Sequence, residues 1–371
     1  MSSIQTRFSK IRSLARHLDL DHTPQDGQDI SSVKVENCTG FSRAPLAIAG
    51  PVRIRGPGVD GIFYAPLAIY EATLVASCSR GCKAFGNSGG VQFEVLGDGM
   101  SRVPVFTFED PTHAIAFYQA VPSFQDEFAT LVQSTSPCVY LRELRASING
   151  SRVHVLCNYS CGDATGEGLV TKATNHACNM LIETYTDEFS IKGFSIEGQL
   201  ASDKKASWGN MKASSSVQVL ARGKVTPSAC REVLGCSTER LHDLQKIGED
   251  GRIRNGQLEL NISTADIVAA MFRATGQDPA SIAEASWCHL TSEFDRETGI
   301  LTMSLLFPSL PVVTVEDGTG YATERDALSM LGCVGPDKKY ALAGIIASFA
   351  LALGLSTSAA VCNNTFSDDH V

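Results

Sequence analysis

None of the twelve cysteines stands in a Cys-x-x-Cys pair, which removes the usual zinc-ribbon and thioredoxin-type patterns. Cys78/Cys82 and Cys157/Cys161 are four apart, a spacing that reads as small packing residues, and no metal site is expected. Positive charge is scarce too. With 31 Lys and Arg against 40 Asp and Glu, the chain carries a net charge of −9, which argues against non-specific nucleic-acid binding. A local basic pocket for an anionic substrate stays open. No signal peptide is legible in Met1-Ser2-Ser3-Ile4-Gln5-Thr6-Arg7, so a reducing, cytoplasmic setting is expected. Nothing repeats at a fixed period. Hydrophobic residues make up 43% and charged residues 19%, too apolar for a disordered chain. At 371 residues there is room for two domains, or for one large domain carrying an insertion.

Long apolar runs are missing with one exception. From Tyr340 to Cys362 no charge occurs, a stretch long enough to cross a bilayer. Its Ala, Gly, Ser and Thr content marks it instead as a buried core helix, and no membrane partner is expected.

Arg7, Lys10, Arg12 and Arg16 interleave with Phe8, Ile11, Leu14 and Leu18 at a helical period, giving an N-terminal helical segment over 1–35. A strand is expected over 45–54, then a small-residue-rich helix over 71–84 running into the Gly86–Gly90 punctuation. Strand 103–108, helices near 111–120 and 124–133, strands 138–148 and 152–160, a helix over 168–184 and a strand near 189–196 follow. The strand pair is joined by Ile148-Asn149-Gly150-Ser151, a good hairpin turn. Strands and helices in this order suit a small α+β unit inserted in a larger domain. Beyond it, 265–275, 326–332 and 339–361 read as helices.

Three charged residues stand out within apolar or glycine-rich surroundings. Glu71 sits in Ile69-Tyr70-Glu71-Ala72-Thr73-Leu74, Lys204 follows the flexible Glu197-Gly198-Gln199 stretch, and Asp278 follows Thr275-Gly276-Gln277 at the end of a helical run. An acid, a lysine and a second acid suit carbonyl chemistry: the lysine stabilises a developing oxyanion while carboxylates tune it and move protons. For any one of them, a surface salt bridge or a helix cap is the competing reading.

Several separated motifs carry a resemblance. Glu36-Asn37-Cys38-Thr39-Gly40 with Ala49-Gly50-Pro51, Glu71–Ser77 with Arg80-Gly81-Cys82-Lys83-Ala84, Asp98-Gly99-Met100-Ser101-Arg102, Ser202-Asp203-Lys204-Lys205, and Asp266-Ile267-Val268 through Gly276-Gln277-Asp278-Pro279-Ala280 occur in order. From about Val33 onward the chain resembles the catalytic region of a eukaryotic-type hydroxymethylglutaryl-CoA reductase. The resemblance implies an α+β fold: a large, mainly helical domain (36–103 and 196–371) with an inserted, small ferredoxin-like domain (104–195). It also implies a homodimer with the active site at the subunit interface. Its catalytic residues would be Lys204 as the oxyanion-stabilising group, Glu71 as the acid and Asp278 as the carboxylate coupling them. Arg102 falls where the family grips the substrate carboxylate, Lys246 at a second such position, and Lys205 beside the catalytic lysine. Arg80 and Lys83 fall on the helix that faces coenzyme A.

The departures bear on the cofactor. The family's nicotinamide-binding DAMGMN reads Asp163-Ala164-Thr165-Gly166-Glu167-Gly168, and its GTVGGGT loop reads Val313-Thr314-Val315-Glu316-Asp317-Gly318-Thr319. Asp163, Gly166, Gly318 and Thr319 remain at ancestral loop positions, but Glu316 and Asp317 add negative charge near a polyanion. At 4 Å each like-charge pair costs roughly 1 kcal/mol in water. Ser136–Tyr140 replaces an arginine-bearing segment, removing partners for a 2′-phosphate. Thr365 stands where the histidine that protonates the departing thiolate is expected, and His370 is the nearby substitute.

The sequence therefore favours an enzyme that has lost NADPH-dependent reduction. Such an enzyme would use Glu71, Lys204 and Asp278 for non-redox carbonyl chemistry on a small molecule: a cyclisation, aldol-type, dehydration or pericyclic step in specialised metabolism. No cofactor is expected on that reading. The alternative is an NADPH-dependent hydroxymethylglutaryl-CoA reductase of the mevalonate pathway, and the second alternative a non-catalytic dimerising homologue.

Overall fold

Alternation of buried and exposed residues builds two sheets in this computed structural model, which describes residues 33, 35–38, 40–162, 166–212, 214–257, 259–315 and 317–366. The helix expected over 1–35 lies outside the described residues, save positions 33 and 35. Strands β1 (Leu46–Gly56), β2 (Val59–Ala68) and β3 (Val91–Gly97) flank helix α1 (Leu74–Gly86). The chain then enters β4 (Met100–Arg102), β5 (Val105–Phe108), α2 (Pro111–Ala120), α3 (Gln125–Thr135), β6 (Tyr140–Asn149), β7 (Arg152–Ser160), α4 (Glu167–Phe189) and β8 (Ile191–Ser195). It returns through β9 (Val217–Val225), α5 (Thr238–Arg254), α6 (Thr264–Thr275), β10 (His289–Phe294), β11 (Leu301–Leu310), α7 (Ala322–Met330) and α8 (Lys339–Cys362).

The first sheet has six strands in the order β10-β11-β9-β3-β1-β2. This corrects the expectation of a mainly helical large unit. Val217, Val219, Ala221 and Val225 alternate inward on β9, and Leu301, Met303, Leu305 and Phe307 do so on β11, the period-two signature of a half-buried strand. Helix α8 is buried on nearly every side against this sheet and α1, so the uncharged run is core, as expected. Two glycines permit the approach. A Cβ on Gly81 would stand 1.8 Å from the Ala352 carbonyl oxygen, and one on Gly344 would stand 2.2 Å from the Phe93 ring.

The second sheet is antiparallel. β6 and β8 lie on either side of a central pair made by β7 with β4 and β5, the last two meeting successive stretches of β7. Its own core holds residues from Met100 to Ile191, centred on Phe117, whose ring lies 5.0 Å from both Phe106 and Phe108. Asp110 caps α2 by accepting the Thr112 and His113 backbone N–H groups at 2.7 and 3.1 Å. The two cores are joined by a buried ion pair. Lys339, the first residue of α8, meets Asp98 at 3.0 Å and also donates to the Gly162 carbonyl at 3.2 Å.

Candidate functional site

The segment between β8 and β9 is tied into a loop by one buried amide: Asn210 Nδ2 donates to the carbonyls of Ser202 at 3.4 Å and Lys205 at 3.2 Å. Inside the loop Lys204 adopts a left-handed backbone, φ 58°, which residues with side chains seldom take. Its ammonium lies 2.9 Å from Asp278 Oδ2 and 3.2 Å from Glu167 Oε2. The bond to Asp278, with help from Glu167 and against partial desolvation, raises the lysine above its ordinary value. For Asp278, burial pushes the carboxyl up, but Lys204, the Ala280 N–H and the Ser281 hydroxyl together outweigh it and hold the group low. The pair is thus a fixed ammonium–carboxylate contact at neutral pH, a third exposed and open to a ligand.

Asp278 is placed by its neighbours. It begins the short helical turn Pro279–Ser281, accepting the Ala280 N–H at 2.9 Å. The preceding Gln277 is clamped to Val313, donating to its carbonyl at 3.0 Å and accepting its N–H at 2.7 Å. Gly276 and Gly318 pack backbone to backbone; a Cβ on Gly276 would stand 2.4 Å from the Gly318 carbonyl carbon. The loop that begins at Val313 therefore sits directly on the carboxylate segment.

Arg102 joins the same neighbourhood from β4. It is buried, donates to the Thr171 hydroxyl at 2.9 Å and the Ser101 carbonyl at 2.9 Å, and pairs with Asp203 at 3.3 Å. Asp203 directly precedes Lys204, and Arg102 also donates to the backbone carbonyl of Glu167 at 3.5 Å, so the guanidinium reaches both segments that meet at the lysine. Gly166 has a left-handed φ of 68° and starts α4, immediately before Glu167.

Other expected residues lie elsewhere. Glu71 is exposed just before α1 and opens onto a cleft lined by Ser77, Asp266, Thr357 and Phe366. Burial, and secondarily Glu71, raise the Asp266 carboxyl. The three-member group read from the sequence is thus a Lys204–Asp278 pair within one chain, with Glu167 as its third member and Glu71 apart. Lys246 rides the exposed face of α5 and pairs with Glu249 at 3.0 Å, a local contact between residues three apart. Arg80 and Lys83 share α1, Lys205 is exposed within the Lys204 loop, and Thr319 is buried in the turn Asp317–Gly320. Thr365 lies just past the end of α8, its N–H donating to the Ala360 carbonyl at 2.9 Å. Asp163, Glu316 and His370 lie outside the described residues. Among those described, no group of three His, Cys, Asp or Glu suits a metal ion.

Sequence reasoning missed Glu284. It is 2% exposed, accepts the Lys204 backbone N–H at 2.6 Å, and has its carboxyl pushed up to about 7 by burial. A signal was present: a lone acid five residues past Pro279, in an otherwise uncharged run.

Comparison with known proteins agrees with the geometry. The sequence model of the family described as hydroxymethylglutaryl-coenzyme A reductase matches residues 3–371. A 3-hydroxy-3-methylglutaryl-coenzyme A reductase of Halobacterium salinarum is 32% identical over 351 residues, covering 93% of this chain and 85% of that protein. Reductase 1 of Hevea brasiliensis is 31% identical over 95% of this chain and 62% of its own length. Archaeal and plant relatives thus match alike, and the kinship is wider than a eukaryotic type. The class II reductase of Streptococcus pneumoniae bound to NADPH shares the fold, with a TM-score of 0.70, 18% identity, and coverage of 88% of this chain and 87% of that one.

Proposed function

The chain belongs to the hydroxymethylglutaryl-coenzyme A reductase family, and on that premise we propose that it activates the carbonyl of a small acyl substrate at Lys204. The observation that carries this reading is the Lys204 ammonium held 2.9 Å from Asp278 on a fixed left-handed turn. An ammonium kept charged and aimed in advance stabilises the negative charge that develops on a carbonyl oxygen. Asp278 holds that charge in place, and Arg102 offers a cation to a substrate carboxylate that displaces Asp203. The first reaction to assay is the reduction of hydroxymethylglutaryl-CoA, after which the relatives are named.

NADPH belongs to the Streptococcus structure, and the described residues of this chain do not fit a dinucleotide. Glu167 adds a carboxylate at the first turn of α4, where bare backbone N–H groups would favour an anion. Gly318, which could admit close backbone approach, is instead packed on Gly276, with its Cβ position 2.8 Å from that carbonyl oxygen. Glu167 favours a second reading: carbonyl chemistry without a hydride donor, such as a cyclisation, aldol-type, dehydration or pericyclic step. Thr365, standing for the family's proton-donating histidine, points the same way. Glu167→Met is expected to tighten NADPH binding about tenfold by removing one like charge, measured by titration calorimetry. Steady NADPH oxidation by the unaltered protein with hydroxymethylglutaryl-CoA would sink the hydride-free reading.

Residues 104–195 form, on this reading, an inserted ferredoxin-like domain. A homodimer with the site at its interface would let Glu71 of one copy complete the group of another. Sedimentation of the purified chain is expected to give a dimer, and a monomer at assay concentration would remove Glu71 from the chemistry.

A further inference from the structure

A buried carboxylate is tolerated only where donors surround it, and those around Glu284 also hold the signature lysine. Glu284 stands in the helical turn Ile282–Ala285 that follows the Asp278 cap. Its Oε2 accepts the Lys204 backbone N–H at 2.6 Å; its Oε1 accepts the Ser309 hydroxyl at 2.5 Å and meets the Ser215 hydroxyl. Ser309 lies on β11, and Ser215 lies two residues before β9. The carboxyl group therefore fastens the Lys204 loop to the central sheet. A left-handed backbone at a residue with a side chain persists only where surrounding bonds impose it. The side chains on the ammonium, Asp278 and Glu167, do not touch that backbone bond.

We propose that Glu284 is a positioning residue that imposes the left-handed turn at Lys204 and so aims its ammonium at the substrate carbonyl. This rests on the reading of Lys204 as the carbonyl-activating group. Glu284 acts through the lysine and touches no substrate.

A proton count makes the hold sensitive to pH. Ser215 has one hydroxyl proton and faces Glu284 Oε1, Asn210 Oδ1 at 2.9 Å and, farther off, the Ser309 hydroxyl at 3.3 Å, whose own proton goes to Glu284. The amide nitrogen of Asn210 is already committed to Ser202 and Lys205. With Glu284 ionised, Ser215 donates to the carboxylate. With Glu284 protonated, the carboxyl can donate to Ser215, which then turns to Asn210. Burial pushes the carboxyl up to about 7; Asp203, the charged group facing it from the loop, adds to the rise, while Ser215, Ser309 and the Lys204 N–H oppose it. An ionised acceptor holds an N–H more strongly than a neutral one, so the grip on Lys204 tightens as pH rises through this range.

Amide hydrogen exchange at Lys204, read residue by residue by NMR between about pH 6 and 8 and corrected for intrinsic rates, tests the proposal without an activity assay. Glu284→Gln is expected to speed Lys204 exchange about tenfold or more while amides in β9 and α8 keep their protection. Glu284→Asp, which keeps the charge, is expected to recover part of the loss. Turnover of the Gln variant should fall with KM little changed. In the unaltered protein, Lys204 protection should rise across this pH range, a result that needs no variant to fold. Unchanged Lys204 protection in folded Glu284→Gln, or a flat pH profile in the unaltered protein, overturns the proposal. If Lys204→Ala leaves turnover intact, the functional reading fails instead, and the exchange data still decide whether Glu284 holds the loop.

Discussion

Lys204→Ala is expected to lower turnover by about two to three orders of magnitude, the usual effect of removing a preorganised oxyanion-stabilising donor. The fold should survive. The side chain is 36% exposed, and the loop is held by backbone bonds to Glu284 and Asn210 that do not use the ammonium. The loss goes beyond an absent cation: Asp278 and Glu167 would then face the substrate carbonyl as two carboxylates with no ammonium between them, and both would oppose developing negative charge. Lys204→Arg should rescue little, because a planar guanidinium cannot reproduce a compact charge held between two carboxylates. Product formation under saturating substrate, with circular dichroism to verify folding, provides the measurement. A variant that turns over at the original rate would remove Lys204 from the chemistry.

Lys339→Met is expected to destabilise the protein by about 3–5 kcal/mol, the range for breaking a buried pair by removing one partner. The Lys339 and Asp98 side chains are 6% and 5% exposed. Lys339 stands at the first residue of α8, where the helix dipole disfavours a cation, so its place depends on Asp98 and on the Gly162 carbonyl. Removing it strands the Asp98 carboxylate with the Tyr340 hydroxyl at 3.3 Å and the Arg142 guanidinium, which binds the Asp98 backbone carbonyl and not the carboxylate. Asp98→Asn added to Lys339→Met should recover much of the loss, since no unpaired charge then remains buried. Urea unfolding of the single and double variants tests this. A single variant within 1 kcal/mol of the parent would show water reaching the pair. The consequence extends to the site, because Asp98 begins the short run that ends in Arg102.

Local signals were read correctly where they were strong. The helical stretch near 111–120 locates α2, and the Asn149-Gly150 turn joins β6 to β7. The uncharged run became α8 because no other arrangement buries so much apolar surface with its backbone bonds satisfied. Of the central sheet only β1 was read, over 45–54; its other strands went unread for a different reason. β3 and β9 pair with each other across more than a hundred residues of sequence, and a period-two pattern alone names no partner.

Ancestry and the order of the motifs were written in the chain, because motif spacing and hydrophobic period are short-range properties. Of the acids that meet Lys204, Asp278 was legible from its motif, whereas Glu167 and Glu284 were not. Glu71 stood beside the strongest motif and lies on a separate cleft, whereas Glu167, Asp278 and Glu284 come from positions 167, 278 and 284 to surround Lys204. Convergence of charge depends on how sheet and helices pack. A carboxylate acquires its partner and its burial only when distant segments close around it, and that closure alone brought Asp278, Glu167 and Glu284 to Lys204.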